Sequence, residues 1–438
     1  MLFPSALKVA GFLAIGAEAR YFKRSDGITI SSRKTVSRDA PSPITITDAV
    51  LPLNKMAKGA SAIRRSSLLQ KLLTFPNGST TGLTSLELGE EFSATVSFAS
   101  QEFQLIVDTG SSDTWVVETG FTCVDFDTGK TTTESECAFG PLYTKSSTFS
   151  AISGETFSIE YGDGEELTGI VGTEDVTVAG ITVDTEVALV TNADWEGDGT
   201  TSGLIGFAYP ALTSAYKGST QEVYNPIFTQ MYSKGLIAND YFSLIIERDN
   251  SGPAGYIALG GVPDIAFTQN FTSTPIIVTN IDGYPDSYDF YTINIVNIQL
   301  NGAAISGSGG TTYEYIIDSG TTLNYVPTAV ATKINAGFSP VGKYSSSEGV
   351  YIVSCTATPP KISIDIAGTL FYINPLDMIL DAGDGTCISG FTQGGTSGTE
   401  DIFILGDTFQ KNVVSVFDVG AKTMQFAGRE YYVSDDTT

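Results

Sequence analysis

Leu105-Ile106-Val107-Asp108-Thr109-Gly110-Ser111-Ser112 and Tyr315-Ile316-Ile317-Asp318-Ser319-Gly320-Thr321-Thr322 are two copies of one pattern. In each copy an apolar run reads as a buried strand that delivers an Asp at its end. A hydroxyl residue and Gly follow, and Gly accepts the backbone geometry of a sharp turn. The hydroxyls of Thr109, Ser111, Ser319 and Thr321 are placed to donate hydrogen bonds that orient the carboxylates. After a similar interval each copy is followed by an apolar-apolar-Gly element, Leu204-Ile205-Gly206 and Ile404-Leu405-Gly406. Two elements recurring in the same order imply two halves of one design, with a boundary near Gly260–Ala266. A pseudo-two-fold axis between the halves would set Asp108 beside Asp318. Like charges that close cannot both ionise easily, so the pair shares a proton. Such a pair can take a proton from water and give one to a carbonyl oxygen, which is general acid–base catalysis.

Composition narrows the chemistry in the same direction. Histidine is absent from all 438 residues. That removes Ser-His-Asp and Cys-His nucleophile systems and the His-bearing zinc sites. The four cysteines include no C-x-x-C pair, which argues against a Cys-only zinc site. The formal net charge of −26 opposes binding to nucleic acid or anionic lipid. No apolar run is long enough to span a bilayer. Charged residues are only 16% of the chain, below the roughly 25% usual in soluble proteins. Gly, Ser and Thr fill the difference, as in a chain of many short strands and turns. The length suggests roughly two to three domains.

Charge is unevenly spread. Residues 1–75 carry 12 Lys+Arg against 4 Asp+Glu, whereas the remainder carries 11 against 45. Met1 to about Ala19 reads as a secretory signal: Lys8, an apolar run from Val9 to Ile15, and the small-x-small site Ala17-Glu18-Ala19. Residues 20–75, with an uncertain end that could reach about 85, read as a separate basic segment with a helical stretch around Ile63–Leu73. Lobes over 86–262 and 263–438 follow. Strand-like alternation is expected at Phe92–Phe98, Phe103–Val107, Thr156–Tyr161, Val176–Val183, Tyr241–Ile246 and Tyr256–Leu259, with short helices near Pro226–Lys234 and Pro327–Ala336. An even cysteine count suits an oxidising compartment. Four cysteines allow three pairings, and proximity favours Cys123–Cys137 and Cys355–Cys387. Asn77-Gly78-Ser79 and Asn270-Phe271-Thr272 are glycosylation sequons.

Taken together the sequence resembles the pepsin-like aspartic peptidases, above all their secreted fungal members. The resemblance runs from about Phe92 to Val433. It includes Ser158-Ile159-Glu160-Tyr161-Gly162-Asp163-Gly164, similar to the family's flap hairpin, and Ser202-Gly203-Leu204-Ile205-Gly206-Phe207-Ala208-Tyr209. It also includes Leu259-Gly260-Gly261 and Phe403-Ile404-Leu405-Gly406-Asp407. The resemblance implies a mostly β, bilobal fold with a cleft for an extended peptide, and Asp108 and Asp318 as the catalytic pair with Gly110 and Gly320 in their turns. It implies Tyr161 as a flap tyrosine hydrogen-bonded to Trp115, with Gly162 and Asp163 at the flap tip. It further implies polypeptide substrates, no metal or cofactor, a monomer, an extracellular rather than vacuolar location, and inhibition by the chain's own propeptide. Ser319 stands where Thr is commoner, the Cys123–Cys137 loop is long, and the family's second short cysteine loop is missing.

Three further expectations concern acidic and glycine-rich loops. Asp163, helped by Glu165 and Glu166, would favour a Lys just before the scissile bond. Asp194-x-Glu196-x-Asp198-Gly199 looks like half of a calcium loop, but its twelfth position is Ile205, so a solvated loop is the better reading. Gly307-Ser308-Gly309-Gly310 lacks the Lys of a phosphate loop and reads as a turn.

Overall fold

A computed structural model of the chain describes residues 40–55, 92–126, 128–161, 165–247, 254–265, 267, 270–278, 287–346, 348–382, 385–394 and 403–429. The signal sequence, the helical stretch Ile63–Leu73, the Asn77 sequon, Gly162 and Asp163 lie outside these residues.

Strands dominate, as the alternation and turn residues require. The expected strands at Phe92–Phe98 and Tyr241–Ile246 have those bounds. The two expected helices span Ile227–Ser233 and Thr328–Asn335, each following a proline. Pro at a helix entrance sacrifices an N–H that would have no partner there. One expectation was wrong in kind. Val176–Val183 is not a single strand but the tip of a hairpin joining Glu166–Val178 to Ile181–Asp194. Ala179 and Gly180 turn the chain with φ of 52° and 75°, the left-handed pair that a two-residue hairpin loop needs. Apolar alternation continues through both arms, so periodicity alone could not see the turn.

The largest sheet has sixteen strands and runs through both halves of the sequence. Toward one end of it, Tyr241–Ile246 pairs with Gly255–Leu259 on one side and with Val413–Asp418 on the other. The N-terminal half therefore shares backbone hydrogen bonds with the C-terminal half. Behind this junction sits an aromatic cluster. Phe242 and Phe417 stack with centroids 4.6 Å apart, and Phe207, Phe228 and Tyr291 close around Phe242 at 5.1, 5.0 and 5.9 Å.

The basic N-terminal segment also contributes, at a place where no strand was expected. Val50–Lys55 lies antiparallel between Phe92–Phe98 and Gly255–Leu259. Its Leu51 and Leu53 are buried. Upstream, Ser42 N donates to the Asp418 carboxylate and Thr45 N to the Tyr241 hydroxyl. The segment thus touches strands from both halves.

Two disulfides close, Cys123–Cys137 and Cys355–Cys387, with Cα separations of 5.9 and 5.1 Å. Loop proximity chose correctly among the three pairings.

The aromatic junction generates a stability prediction. Phe242→Ala removes a fully buried ring from four aromatic neighbours, and is expected to cost about 3–5 kcal/mol. Tyr372→Ala, at an exposed ring, is expected to stay within about 0.5 kcal/mol. Urea unfolding of both variants checks this. A Phe242 variant no less stable than the Tyr372 variant would show that the junction carries little of the fold's stability.

Candidate active site

Each Asp is delivered by the same small construction. Gln101–Asp108 runs parallel to Gly203–Gly206, with Asp108 opposite Gly206. Glu314–Ile317 runs parallel to Phe403–Leu405. The glycines that end the partner strands have no room for a side chain. A Cβ on Gly206 would lie 2.6 Å from Ser111 O, and one on Gly406 2.2 Å from Thr321 O. The apolar-apolar-Gly repeat therefore reflects a strand end pressed against an Asp turn. Gly206 N donates to Asp113 O, and Gly406 N to the Asn324 side chain.

The two turns meet face to face. A Cβ on Gly110 would lie 2.7 Å from Asp318 Oδ1, and a Cβ on Gly320 2.6 Å from Asp108 Oδ1. Each carboxylate thus rests against the other turn's glycine, and both Asp residues are buried. Within each turn the bonding is the same. Gly110 N donates to Asp108 Oδ1 at 2.7 Å and Ser111 Oγ to Asp108 Oδ2 at 2.5 Å. Gly320 N donates to Asp318 Oδ1 at 2.9 Å and Thr321 Oγ1 to Asp318 Oδ2 at 2.7 Å.

Thr109 and Ser319 do something other than orient their carboxylates. Ser319 N donates to Thr109 Oγ1 at 3.0 Å, and Thr109 N to Ser319 Oγ at 3.2 Å. The hydroxyls pass on to Ile317 O and Val107 O on the opposite strands. These side chains lace the two turns together. From sequence alone each hydroxyl had only its own Asp in view, because the partner lies 210 residues away.

Electrostatics follow from this packing. Burial, and then the Asp318 charge beside it, push the Asp108 carboxyl well above the usual carboxylate range, against the hydrogen bonds from Ser111 and Gly110. A carboxyl held protonated beside a carboxylate is an acid and a base within reach of one substrate group.

Above the pair, Ser150–Glu160 and Glu166–Val178 form a hairpin that carries Tyr161. Tyr161 is buried, and Trp115 Nε1 donates to its hydroxyl oxygen at 2.7 Å. Burial raises the phenol's pKa further, so it stays protonated. A residue the sequence reading missed completes the setting. Trp195 packs edge-on against Trp115 at 5.4 Å and against Tyr161 at 5.7 Å, and stacks on Phe139 at 5.9 Å. Trp195 directly follows the acidic cluster's first member, Asp194, and that cluster drew attention away from the ring.

The acidic loops also differ from expectation. Glu165 is buried, and its carboxylate accepts from Glu196 N at 2.9 Å, so it does not stand exposed beside the flap tip. Asp198 is also buried rather than solvated. Its Oδ1 is taken by Thr200 N, Thr201 N and Thr201 Oγ1.

Comparison with known proteins gives this geometry a context. The family model described as eukaryotic aspartyl protease matches residues 93–429. A probable aspartic-type endopeptidase of Aspergillus fumigatus is 44% identical over 431 residues, covering 96% of this chain and 97% of that one. Pepsin A of Sus scrofa is 30% identical over 344 residues, covering 76% and 79%. Among solved structures, the aspartic proteinase from Irpex lacteus superposes with a TM-score of 0.62 at 21% identity, covering 81% of this chain and 98% of that one, a likeness of fold. With the family matched across most of its length, this chain belongs to the pepsin-like eukaryotic aspartyl proteases and is an aspartic-type endopeptidase, a hydrolase acting on polypeptides.

Proposed function

We propose that Asp108 and Asp318 together activate the hydrolytic water, and that the protein works outside the cell at acid pH after synthesis as a zymogen. The observation that carries the catalytic reading is the laced pair itself: two buried carboxylates, each bonded to two donors of its own turn and held against the other turn. One carboxylate takes a proton from water as the water oxygen attacks the scissile carbonyl carbon. The protonated partner gives its proton to the carbonyl oxygen. The resulting tetrahedral diol collapses: the C–N bond breaks, the amine leaves with a proton from the pair, and one diol hydroxyl returns its proton to the pair as its C=O forms. The pair ends with the one shared proton it began with. Tyr161 closes over the peptide and limits access of bulk water. The working pair needs one proton, which favours acid over neutral pH.

The N-terminal segment supports the zymogen reading. Residues 20–75 form the proposed prosegment, and 42–55 of it are docked on strands from both halves. Lys55, Lys58, Arg64, Arg65 and Lys71 would pair with carboxylates of the acidic body. A carboxylate paired with a base has a lowered pKa in the precursor. Its contribution is present at neutral pH and is lost as pH falls through that lowered value. Acidification then loosens the segment and protonates the catalytic pair together. A monomer glycosylated at Asn77 and Asn270 completes this reading, and Asn270 is exposed.

Two measurements test the proposal. Asp108→Asn and Asp318→Asn should each lower kcat/KM on a peptide substrate at acid pH by roughly 100-fold or more while leaving cooperative unfolding intact. A variant retaining above about a tenth of wild-type activity would remove that carboxylate from the mechanism. For the latch, precursor purified at neutral pH should be inactive, and should gain activity and lose mass when stepped to acid. Full activity of the intact chain at neutral pH, or inhibition unchanged after reversing the charge of those five bases, would refute it.

A further inference from the structure

Five residues beyond Asp108 lies a third buried carboxylate. Asp113 is fully buried. Ser214 N donates to both its oxygens at 3.0 and 3.1 Å, and the Tyr224 hydroxyl donates to Oδ1 at 2.5 Å. No described cation forms an ion pair with it. Two neutral donors are thin compensation for a full charge removed from water. Burial accordingly lifts the carboxyl from 3.8 to about 6, against the opposing pull of Ser214 and Tyr224.

The groups facing this carboxylate are acidic or phenolic. Tyr224 is itself buried and feels Asp113, Glu186 and Tyr161. Tyr161 feels Asp108, Asp113 and Glu165. Lys217, the nearest base along the Ala215–Lys217 strand, is exposed. Two residues after Asp113 stands Trp115, whose indole holds the Tyr161 hydroxyl. Trp115, Tyr161 and Tyr224 belong to one buried apolar cluster. Asp113 thus stands two residues before the donor of the only hydrogen bond described for the Tyr161 hydroxyl, and bonds a tyrosine of the same cluster.

We propose that Asp113, clasped by Tyr224, is a positioning residue for the flap tyrosine: as a neutral acid it lets Tyr161 stay seated on Trp115, and as a carboxylate it unseats it. The inference rests on the peptidase reading of the cleft. The chemistry is simple. A hydroxyl can donate to a carboxylate or accept from a carboxylic acid, so the Tyr224 clasp serves both states without moving. The ionised state, however, sets a negative charge against Tyr224, in the apolar cluster that also holds Trp115 and Tyr161, and the Tyr161 phenol feels that charge. The phenol oxygen already accepts a hydrogen bond, and the pocket must draw in water or another donor to accommodate the charge. Stability should respond with the same sign. Asp113 is raised above its unfolded value, so between about pH 4 and 6 the folded chain holds the extra proton, and stability falls as pH climbs through that window.

Tryptophan fluorescence gives a readout that needs no catalysis. The chain has two tryptophans, Trp115 and Trp195, and both touch Tyr161. On the mature enzyme, wild-type emission should titrate with a midpoint near pH 6, and Asp113→Asn should abolish that step. Tyr224→Phe removes a donor that favours the charged form, so it should move the step to higher pH. In kinetics, the ratio of kcat/KM at about pH 6.5 to that at about pH 4 should rise about fourfold in Asp113→Asn, because about a quarter of a group titrating at 6 remains neutral at pH 6.5. A wild-type fluorescence step that survives in Asp113→Asn would overturn the proposal. So would a loss of kcat/KM equal at every pH, which is what a purely structural residue would give. Absence of peptide hydrolysis in the wild type would instead fault the peptidase reading, and the fluorescence titration would still decide whether Asp113 governs the seat of Tyr161.

Discussion

The central constraint on this fold is keeping two carboxyl groups side by side and buried from bulk solvent. Burying a charged group is costly, and burying two of the same sign costs more. The cost is met by four short donors within the turns and by the exchange between Thr109 and Ser319 across them. Charge-assisted bonds from backbone N–H and hydroxyl groups are the stronger kind. What cannot be offset shifts the proton equilibrium instead, and burial beside Asp318 pushes the Asp108 carboxyl up. The same unfavourable contact that burdens the fold creates an acid and a base in one place.

Precision in the turns comes from strands that cannot move. Each Asp ends a central strand of its half, parallel to a neighbour whose terminal glycine lies against the turn's own carbonyls. A side chain at Gly206 or Gly406 would force the strand and the turn apart. The halves in turn cannot drift freely, because Tyr241–Ile246 pairs with Val413–Asp418 and the Phe242–Phe417 stack fills the space behind. The docked segment 42–55 adds a strand to that same junction.

Around the polar pair the structure becomes aromatic. Trp115, Trp195, Phe139 and Tyr161 form a wall in which the Tyr161 hydroxyl has one fixed hydrogen-bond partner. Rigid rings with few rotatable bonds position a phenol at small entropic cost. They also lower the local polarity, which raises both the Tyr161 phenol and the Asp113 carboxyl behind it.

The sequence by itself determined the duplicated Asp turns, the strand-rich character and the absence of any histidine-based chemistry, and it favoured the disulfide pairing that is found. Those features are written in neighbouring residues or in the count of a residue type, so no folding is needed to read them. Even the docked strand Val50–Lys55 escaped that reading, because it is short, carries Pro52, which argues against a strand, and pairs with Phe92–Phe98 and Gly255–Leu259, the latter remote in sequence. Only the tertiary structure decided that Thr109 and Ser319 brace each other's turns, that Glu165 is turned inward, that Trp195 completes the wall behind Tyr161, and that Asp113 is a buried acid. Each of these depends on what a side chain meets across the fold. A hydroxyl or carboxyl is chemically the same residue whether its partner is water, its own turn or a strand 200 positions away, and its partner settles what it does.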